Sequence, residues 1–209
     1  LEANFAVLCE PTGAMVEGGC NGTIRIEVSA TGVKAHSARP WMGENAIHKT
    51  AEILNRLNSF EPETLAVDGL EYRESLNAVL ISGGIATNVI PDHATVTINY
   101  RFAPSRTESE VLALLNNLFE GFEIKVTDLA LGARPGLDRP EALEFIAATG
   151  TTARPKYGWT DVARFSALGI PAVNYGPGDP SLAHADNENV PVGHLFDCEA
   201  GLRRWLSAN

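Results

Sequence analysis

Apolar and polar residues alternate with period two over Thr23-Ile24-Arg25-Ile26-Glu27-Val28-Ser29, which predicts a strand with one covered face and one wet face. A helix is expected from Asn45 to Phe60, where Ile47, Ala51, Leu54 and Leu57 are spaced to form an apolar stripe. Ser75 to Gly84 reads as a second strand, stopped by Gly83-Gly84. Asp92 to Phe102 reads as a third, with Val96, Ile98, Tyr100 and Phe102 on one face and Thr95, Thr97, Asn99 and Arg101 on the other. Ser105-Arg106-Thr107-Glu108 has the Ser-x-x-Glu form of a capping box and predicts a helix start, continued by Val111, Leu114, Leu115 and Leu118. Phe122 to Val126 is a fourth strand. The order β-α-β-β-α-β is that of a ferredoxin-like unit, a four-stranded sheet with both helices on one face. It is expected over residues 18–131.

The flanking segments carry a different, coarser α/β pattern. Asn4 to Cys9 is a buried strand that ends in Glu10-Pro11-Thr12-Gly13. Gly132 to Pro140 has the Gly, Pro and charge of a linker. Helices are expected at Glu141–Thr149, Asp161–Leu168 and Gly193–Leu206, and a buried strand at Pro171–Tyr175. The first strand has no partner within the ferredoxin-like unit and is expected to pair with the C-terminal part. Residues 1–17 and 132–209 would then form one domain with residues 18–131 inserted in it. The chain opens at Leu1, without a methionine and close to the middle of a strand, so it is expected to be a piece of a longer protein.

Composition narrows the function. A formal charge of -10 over 209 residues disfavours a nucleic-acid partner, which needs a basic face. No apolar run reaches the length of a bilayer span, so neither a membrane role nor a signal peptide is expected. Cys9, Cys20 and Cys198 are few, odd in number and widely spaced, as in a cytoplasmic protein and not in a disulfide scaffold.

Candidate chemistry lies in the connections. Ala35-His36-Ser37-Ala38-Arg39-Pro40-Trp41 joins a strand to a helix, and polar groups on such turns are often functional. Glu10 stands just past a buried strand, where open α/β sheets bind ligands; a simply solvated glutamate is the plain alternative. Gly176 to Pro191 follows the last strand and carries His184 with Asp186 and Glu188. Neutral imidazole is a common zinc ligand and a carboxylate can orient its ring, although a lone loop histidine is often inert. Thr160, in Tyr157-Gly158-Trp159-Thr160-Asp161, is a plausible N-cap whose helix start would suit an anion.

Together Cys9-Glu10-Pro11-Thr12, the Ala35–His48 segment, Thr87-Asn88-Val89-Ile90-Pro91, Tyr157–Phe165 and the Gly-Pro-Gly loop with His184 and Glu188 occur in an order that resembles one family. This is the dinuclear-zinc amidohydrolase family of the aminoacylase and carboxypeptidase type, and the resemblance covers nearly the whole chain. It implies an α/β fold: a ferredoxin-like dimerisation domain inserted in a partial zinc-peptidase-like catalytic domain. By the same resemblance Glu10 and His184 would each bind one of two zinc ions, with Co²⁺ as a possible substitute. His36 would reach the neighbouring subunit's site and stabilise an oxyanion. Asn88, Arg101 and Thr160 would contact a small-molecule substrate, an N-acyl amino acid cut at its amide. The lid would form a homodimer. The sequence departs from the family at Gly19-Cys20-Asn21-Gly22, where some members carry a substrate-binding arginine. It also lacks the family's His-x-Asp motif, bridging aspartate and Glu-Glu pair, and so is expected to be inactive alone. A non-catalytic dimerisation protein is the rival reading.

Overall fold

The computed structural model describes residues 3–207. Its strands in chain order are β1 (Ala6–Leu8), β2 (Val16–Gly18), β3 (Gly22–Thr31) and β4 (Ala35–His36). Helix α1 (Ala46–Ser59) precedes β5 (Thr64–Val67), β6 (Leu70–Arg73), β7 (Ser75–Gly83), β8 (Val89–Ile90) and β9 (His93–Phe102). Helix α2 (Glu108–Leu118), β10 (Glu123–Ala130), α3 (Pro140–Thr149), β11 (Ala153–Pro155), α4 (Val162–Ala167), β12 (Ala172–Asn174) and α5 (Val192–Ser207) complete the chain.

One sheet has the antiparallel order β10-β3-β9-β7, flanked on one face by α1 and α2. The alternation of β3 and β9 decides which face: Ile24, Ile26, Val28, Val96, Ile98, Tyr100 and Phe102 all point into a core shared with Ile53, Val111 and Leu115. This is the ferredoxin-like order the sequence predicts. The second sheet, β1-β12-β2-β11, pairs β1 with β12 in parallel, so the first strand finds its partner near the other end of the chain. Phe145 of α3 anchors that half. Its ring lies 5.7 Å from Phe5, 5.3 Å from Tyr175 and 5.2 Å from Trp205. Such aromatic pairs contribute about 0.5–1.5 kcal/mol each beyond the area they bury.

The two sheets are joined where the chain passes between them twice. Cys20 and Ala133 exchange backbone hydrogen bonds at 2.9 and 3.1 Å. The hairpin β5–β6 leans across the same junction, and the buried Tyr72 hydroxyl donates to Gly18 O at 2.7 Å. Trp159 Nε1 donates to Leu131 O at 3.1 Å from the other side.

Several local expectations need correction. The buried stripe of α1 is Ala46, Thr50 and Ile53, while Ile47 is 41% exposed and Ala51 is exposed too. Leu54 and Leu57 pack against the core as the spacing predicts, while Ile47 and Ala51 do not, Asn45 being the N-cap and Ile47 turning outward in the first turn. The capping box of α2 is Thr107 with Glu110, not Ser105 with Glu108. Arg106 cannot begin a helix turn freely, since its guanidinium is drawn to the buried Glu74 carboxylate at 2.6 Å. Thr160 does not cap α4 by its side chain: the N-cap is Asp161, and the helix has six residues, too short to present an anion site. The hairpin β5–β6 and the short strands β2, β4, β8 and β11 were not anticipated.

Candidate functional site

Strand β1 runs out at Leu8, whose carbonyl accepts from Tyr175 N at 2.8 Å. The chain then turns through Glu10-Pro11-Thr12, and this turn is sewn to the loop that follows β12. Thr12, fully buried, accepts from Gly176 N at 3.0 Å and donates to Gly176 O at 3.1 Å through the same hydroxyl. Thr12 N and Ala14 N also donate to Gly176 O, and Gly13 N donates to Gly178 O at 2.6 Å. Only glycine fits at position 176, because a Cβ there would sit 2.5 Å from the Glu10 carbonyl oxygen. Two segments 164 residues apart in sequence are thus held as one ledge.

From that ledge the second loop continues through a single 3-10 turn, Pro180–Leu182, capped by Asp179. Hydrogen bonds from Ser181 N and Oγ hold the Asp179 carboxyl below the usual carboxylate range. His184 follows with φ +67°, a left-handed conformation that costs an L-residue about 1–2 kcal/mol. Glu188 Oε2 accepts from His184 N at 3.1 Å and braces this backbone. Strained backbone of this kind collects at functional loops.

Glu10, Glu17, Lys156, Trp159, Thr160 and His184 line one cavity of about 700 Å³. The sequence-predicted residues Glu10, Thr160 and His184 therefore converge. Thr160 is only 7% exposed, and its buried hydroxyl, beside the Cys20 thiol, makes no aligned hydrogen bond. A buried hydroxyl left unpaired costs about 1–3 kcal/mol, which a bound polar group would recover. Glu10 and His184 are exposed and chemically suited to a metal, one donor each. They do not complete a shell: among the described residues no group of three His, Cys, Asp or Glu side chains stands close enough to hold an ion.

His36, Asn88 and Arg101 do not line this cavity. His36 and Asn88 are neighbours all the same, because β4 pairs with β8 and Ser37 N donates to Asn88 O at 2.9 Å. The exposed His36 ring accepts from Ala38 N at 3.0 Å through Nδ1. A neutral imidazole accepting at Nδ1 carries its proton on Nε2, so the outward nitrogen is the donor. Arg101 lies at the far end of β9, some eight residues or about 27 Å of strand from the end nearest Asn88. Burial and the nearby Arg25 lower its pKa, and its Nε donates to Asn99 Oδ1 at 3.0 Å. The three lid residues thus occupy two separate places.

Sequence reasoning missed a charged trio in the wall of the cavity. Glu17 in β2 is 4% exposed, and its Oε1 accepts from Arg154 Nε at 2.9 Å. Lys156, 9% exposed, brings its ammonium to 2.9 Å from Glu17 Oε2. The one available signal was a glutamate amid the small and apolar residues of Ala14 to Cys20.

Residues 19–125 match the family model of the peptidase dimerisation domain. Among curated proteins the chain is 52% identical over 208 residues to a Mycobacterium tuberculosis protein provisionally named succinyl-diaminopimelate desuccinylase, covering 99% of this chain and 59% of that protein. It is 46% identical over 213 residues to the succinyl-diaminopimelate desuccinylase of Corynebacterium glutamicum, covering 99% and 58%. The chain therefore spans less than two thirds of these relatives. Among solved structures, a Staphylococcus aureus tripeptidase superposes with TM-score 0.77 at 20% identity, over 100% of this chain and 57% of that one. A metallo-carboxypeptidase from Sulfolobus solfataricus gives 0.73 at 17% identity, over 99% and 63%. These likenesses are of fold.

Proposed function

The chain belongs to the M20 peptidase dimerisation family, and on that premise we propose that it is the lid and later catalytic part of a metal-dependent amide hydrolase. Its substrate on this reading is N-succinyl-LL-2,6-diaminopimelate, cut with water to succinate and LL-2,6-diaminopimelate, a step toward lysine. The identities of 52% and 46% to proteins of that name support the substrate. The observation that carries the chemistry is the convergence of Glu10, His184 and the buried Thr160 hydroxyl on one cavity.

Residues 1–17 and 132–209 are assigned to the catalytic domain and residues 18–131 to the lid. Glu10 and His184 would each hold one ion of a zinc pair, with the remaining ligands supplied by segments beyond this chain. That metal would supply Lewis acidity toward the amide oxygen and lower the pKa of a water molecule. Thr160 offers its hydroxyl to a substrate oxygen, and Asn88 and Arg101 suit substrate carboxylates, Arg101 by its fork of donors. His36, with Nε2–H outward, is the donor to the developing oxyanion, offered to the neighbouring subunit's cavity.

Homodimerisation through the lid is supported by the sheet itself. β7 is an edge strand, and Val79, Leu80 and Ile81 on it are 51%, 69% and 57% exposed, with Ile85 at 77% just beyond. An apolar edge left open is a hazard that proteins cover. The segment leaving β7 leads straight to Asn88, and through β8 to His36, so pairing along this edge would carry both toward a second copy. No helix among the described residues is long and apolar enough to cross a membrane. Three free thiols and the acidic balance fit the cytoplasm.

The test is the rate of the complete natural protein on N-succinyl-diaminopimelate against N-acetyl amino acids, with Glu10→Ala and His36→Ala alongside. His36→Ala should lower kcat about 10²–10³-fold at unchanged zinc content. A preference for acetyl substrates would instead favour an aminoacylase-type activity. That second reading draws on 31% identity to the acetylornithine deacetylase of Myxococcus xanthus. Wild-type turnover in either variant would overturn the role given to that residue, and no turnover of either substrate by the wild type would leave a purely dimerising protein.

A further inference from the structure

The charged trio in the wall of the cavity is not required by the chemistry above. We infer that Lys156 is a positioning residue for Glu10, an assignment that rests on reading Glu10 as a metal ligand. Lys156 Nζ donates to Pro11 O at 3.1 Å. Arg154 Nη2 donates to Thr12 O at 2.6 Å. The two cations flank one carboxylate, Glu17, and each donates to a carbonyl one or two residues after Glu10.

The geometry separates the two contacts of Lys156. Its 2.9 Å approach to Glu17 Oε2 pairs opposite charges, yet that oxygen has no aligned hydrogen bond. The directional bond goes to Pro11 O. Proline carries no N–H, so this turn cannot be fixed through Pro11 by a backbone donor of its own. Its carbonyl is the remaining handle, and a buried ammonium holds it.

Stability does not account for the arrangement. Replacing a buried ion group by apolar side chains of similar volume is often neutral or stabilising. What the trio supplies that an apolar core would not is a fixed pair of carbonyls, and with them a fixed origin for the Glu10 side chain. Partners of metal ligands typically change affinity 10–100-fold when removed. Thr12 provides an independent tether on the far side of the turn, so losing Lys156 should loosen Glu10 without unfolding it.

The experiment titrates the metal-free complete protein with zinc against a chromophoric chelator, and records apo-protein thermal unfolding in parallel. Lys156→Met is expected to weaken zinc binding 10–100-fold at one of the two sites, and Lys156→Arg to restore most of it. The double variant Glu17→Gln with Lys156→Met removes the orphaned carboxylate, so it folds even where the single variant fails. It should show the same weakening, since Pro11 O still lacks its donor. Wild-type affinity in a folded variant lacking the ammonium would overturn the positioning role. So would weakening in proportion to lost thermal stability with no recovery in Lys156→Arg. Glu10→Ala separates this from the underlying reading: if that variant binds zinc like the wild type, Glu10 is not a ligand.

Discussion

Thr12→Val tests the stitch between the two loops of the cavity. Valine keeps the shape of threonine and replaces the hydroxyl by a methyl. Gly176 O retains donors from Thr12 N at 3.2 Å and Ala14 N at 2.9 Å, so the acceptor stays satisfied. Gly176 N donates to Thr12 Oγ1, and in the variant it would be buried with a methyl in the place of that oxygen. An orphaned buried donor costs about 1–3 kcal/mol, and the lost donation to Gly176 O adds about 0.5–1 kcal/mol. The expected loss is therefore about 1.5–4 kcal/mol, or roughly 3–16 °C in Tm for a chain of this size. Thr12→Ser keeps both hydrogen bonds and gives up one buried methyl, about 1 kcal/mol. Urea unfolding followed by tryptophan fluorescence reads both variants, since Trp205 belongs to the same half of the molecule. If serine proves as costly as valine, or valine costs under 0.5 kcal/mol, the hydroxyl does not join the loops.

The same reasoning extends elsewhere. Glu74 is fully buried at its side chain and receives Arg106 Nε at 2.6 Å, Tyr100 Oη at 2.7 Å and Ala103 N at 2.9 Å. Glu74→Ala would leave Arg106 with Glu63 as its remaining carboxylate, at 2.8 Å, and the Tyr100 hydroxyl without its acceptor, and should cost about 2–4 kcal/mol in chemical denaturation. Hydrogen bonds from Thr107 N and Oγ1 lower the Glu110 pKa below 4.5. This depressed carboxylate stabilises the fold above its unfolded pKa, and the contribution disappears as pH falls through the folded value. Thr107→Ala should move its NMR titration up toward 4.5 and flatten the acid limb of stability. Leu80→Lys should shift the complete protein from dimer to monomer in sedimentation velocity; an unchanged dimer would exclude the β7 edge. Gly176→Ala should destabilise by at least 2 kcal/mol, since its Cβ meets backbone and not a movable side chain.

Period-two strands such as Thr23–Ser29 and Asp92–Phe102 were legible because one face is covered and the other wet, which writes the fold into the residue order. Caps were less so. Ser105-x-x-Glu108 and Thr107-x-x-Glu110 both satisfy the capping pattern, and the choice fell to a contact with Glu74 that lies 32 residues away. The hairpin β5–β6 did carry a readable signal: Asp68-Gly69, with φ of +48° and +85°, is the dipeptide that two-residue hairpin turns favour. Within the site, Glu10, Thr160 and His184 sit on loops whose motifs resemble known ones, so they could be named. Arg154 and Lys156 work through backbone carbonyls, which accept from any donor and leave no pattern in the residues they serve.

The pairing of β1 with β12 has a consequence for how the protein reaches its fold. Closing a flexible loop of 164 residues costs about 4.5 kcal/mol in chain entropy beyond a constant. The ferredoxin-like unit lies inside that loop, and its ends meet at Cys20 and Ala133. Once it has formed, the effective loop shrinks to roughly a third and the penalty falls by about 1 kcal/mol. The inserted unit is then a natural nucleus, and the ledge carrying Glu10 and His184 comes together last. A ribosome-bound chain would hold the two halves of the cavity apart until Gly176 had left the exit tunnel. Ligand-binding competence would appear as a late kinetic phase, after the lid has buried its core.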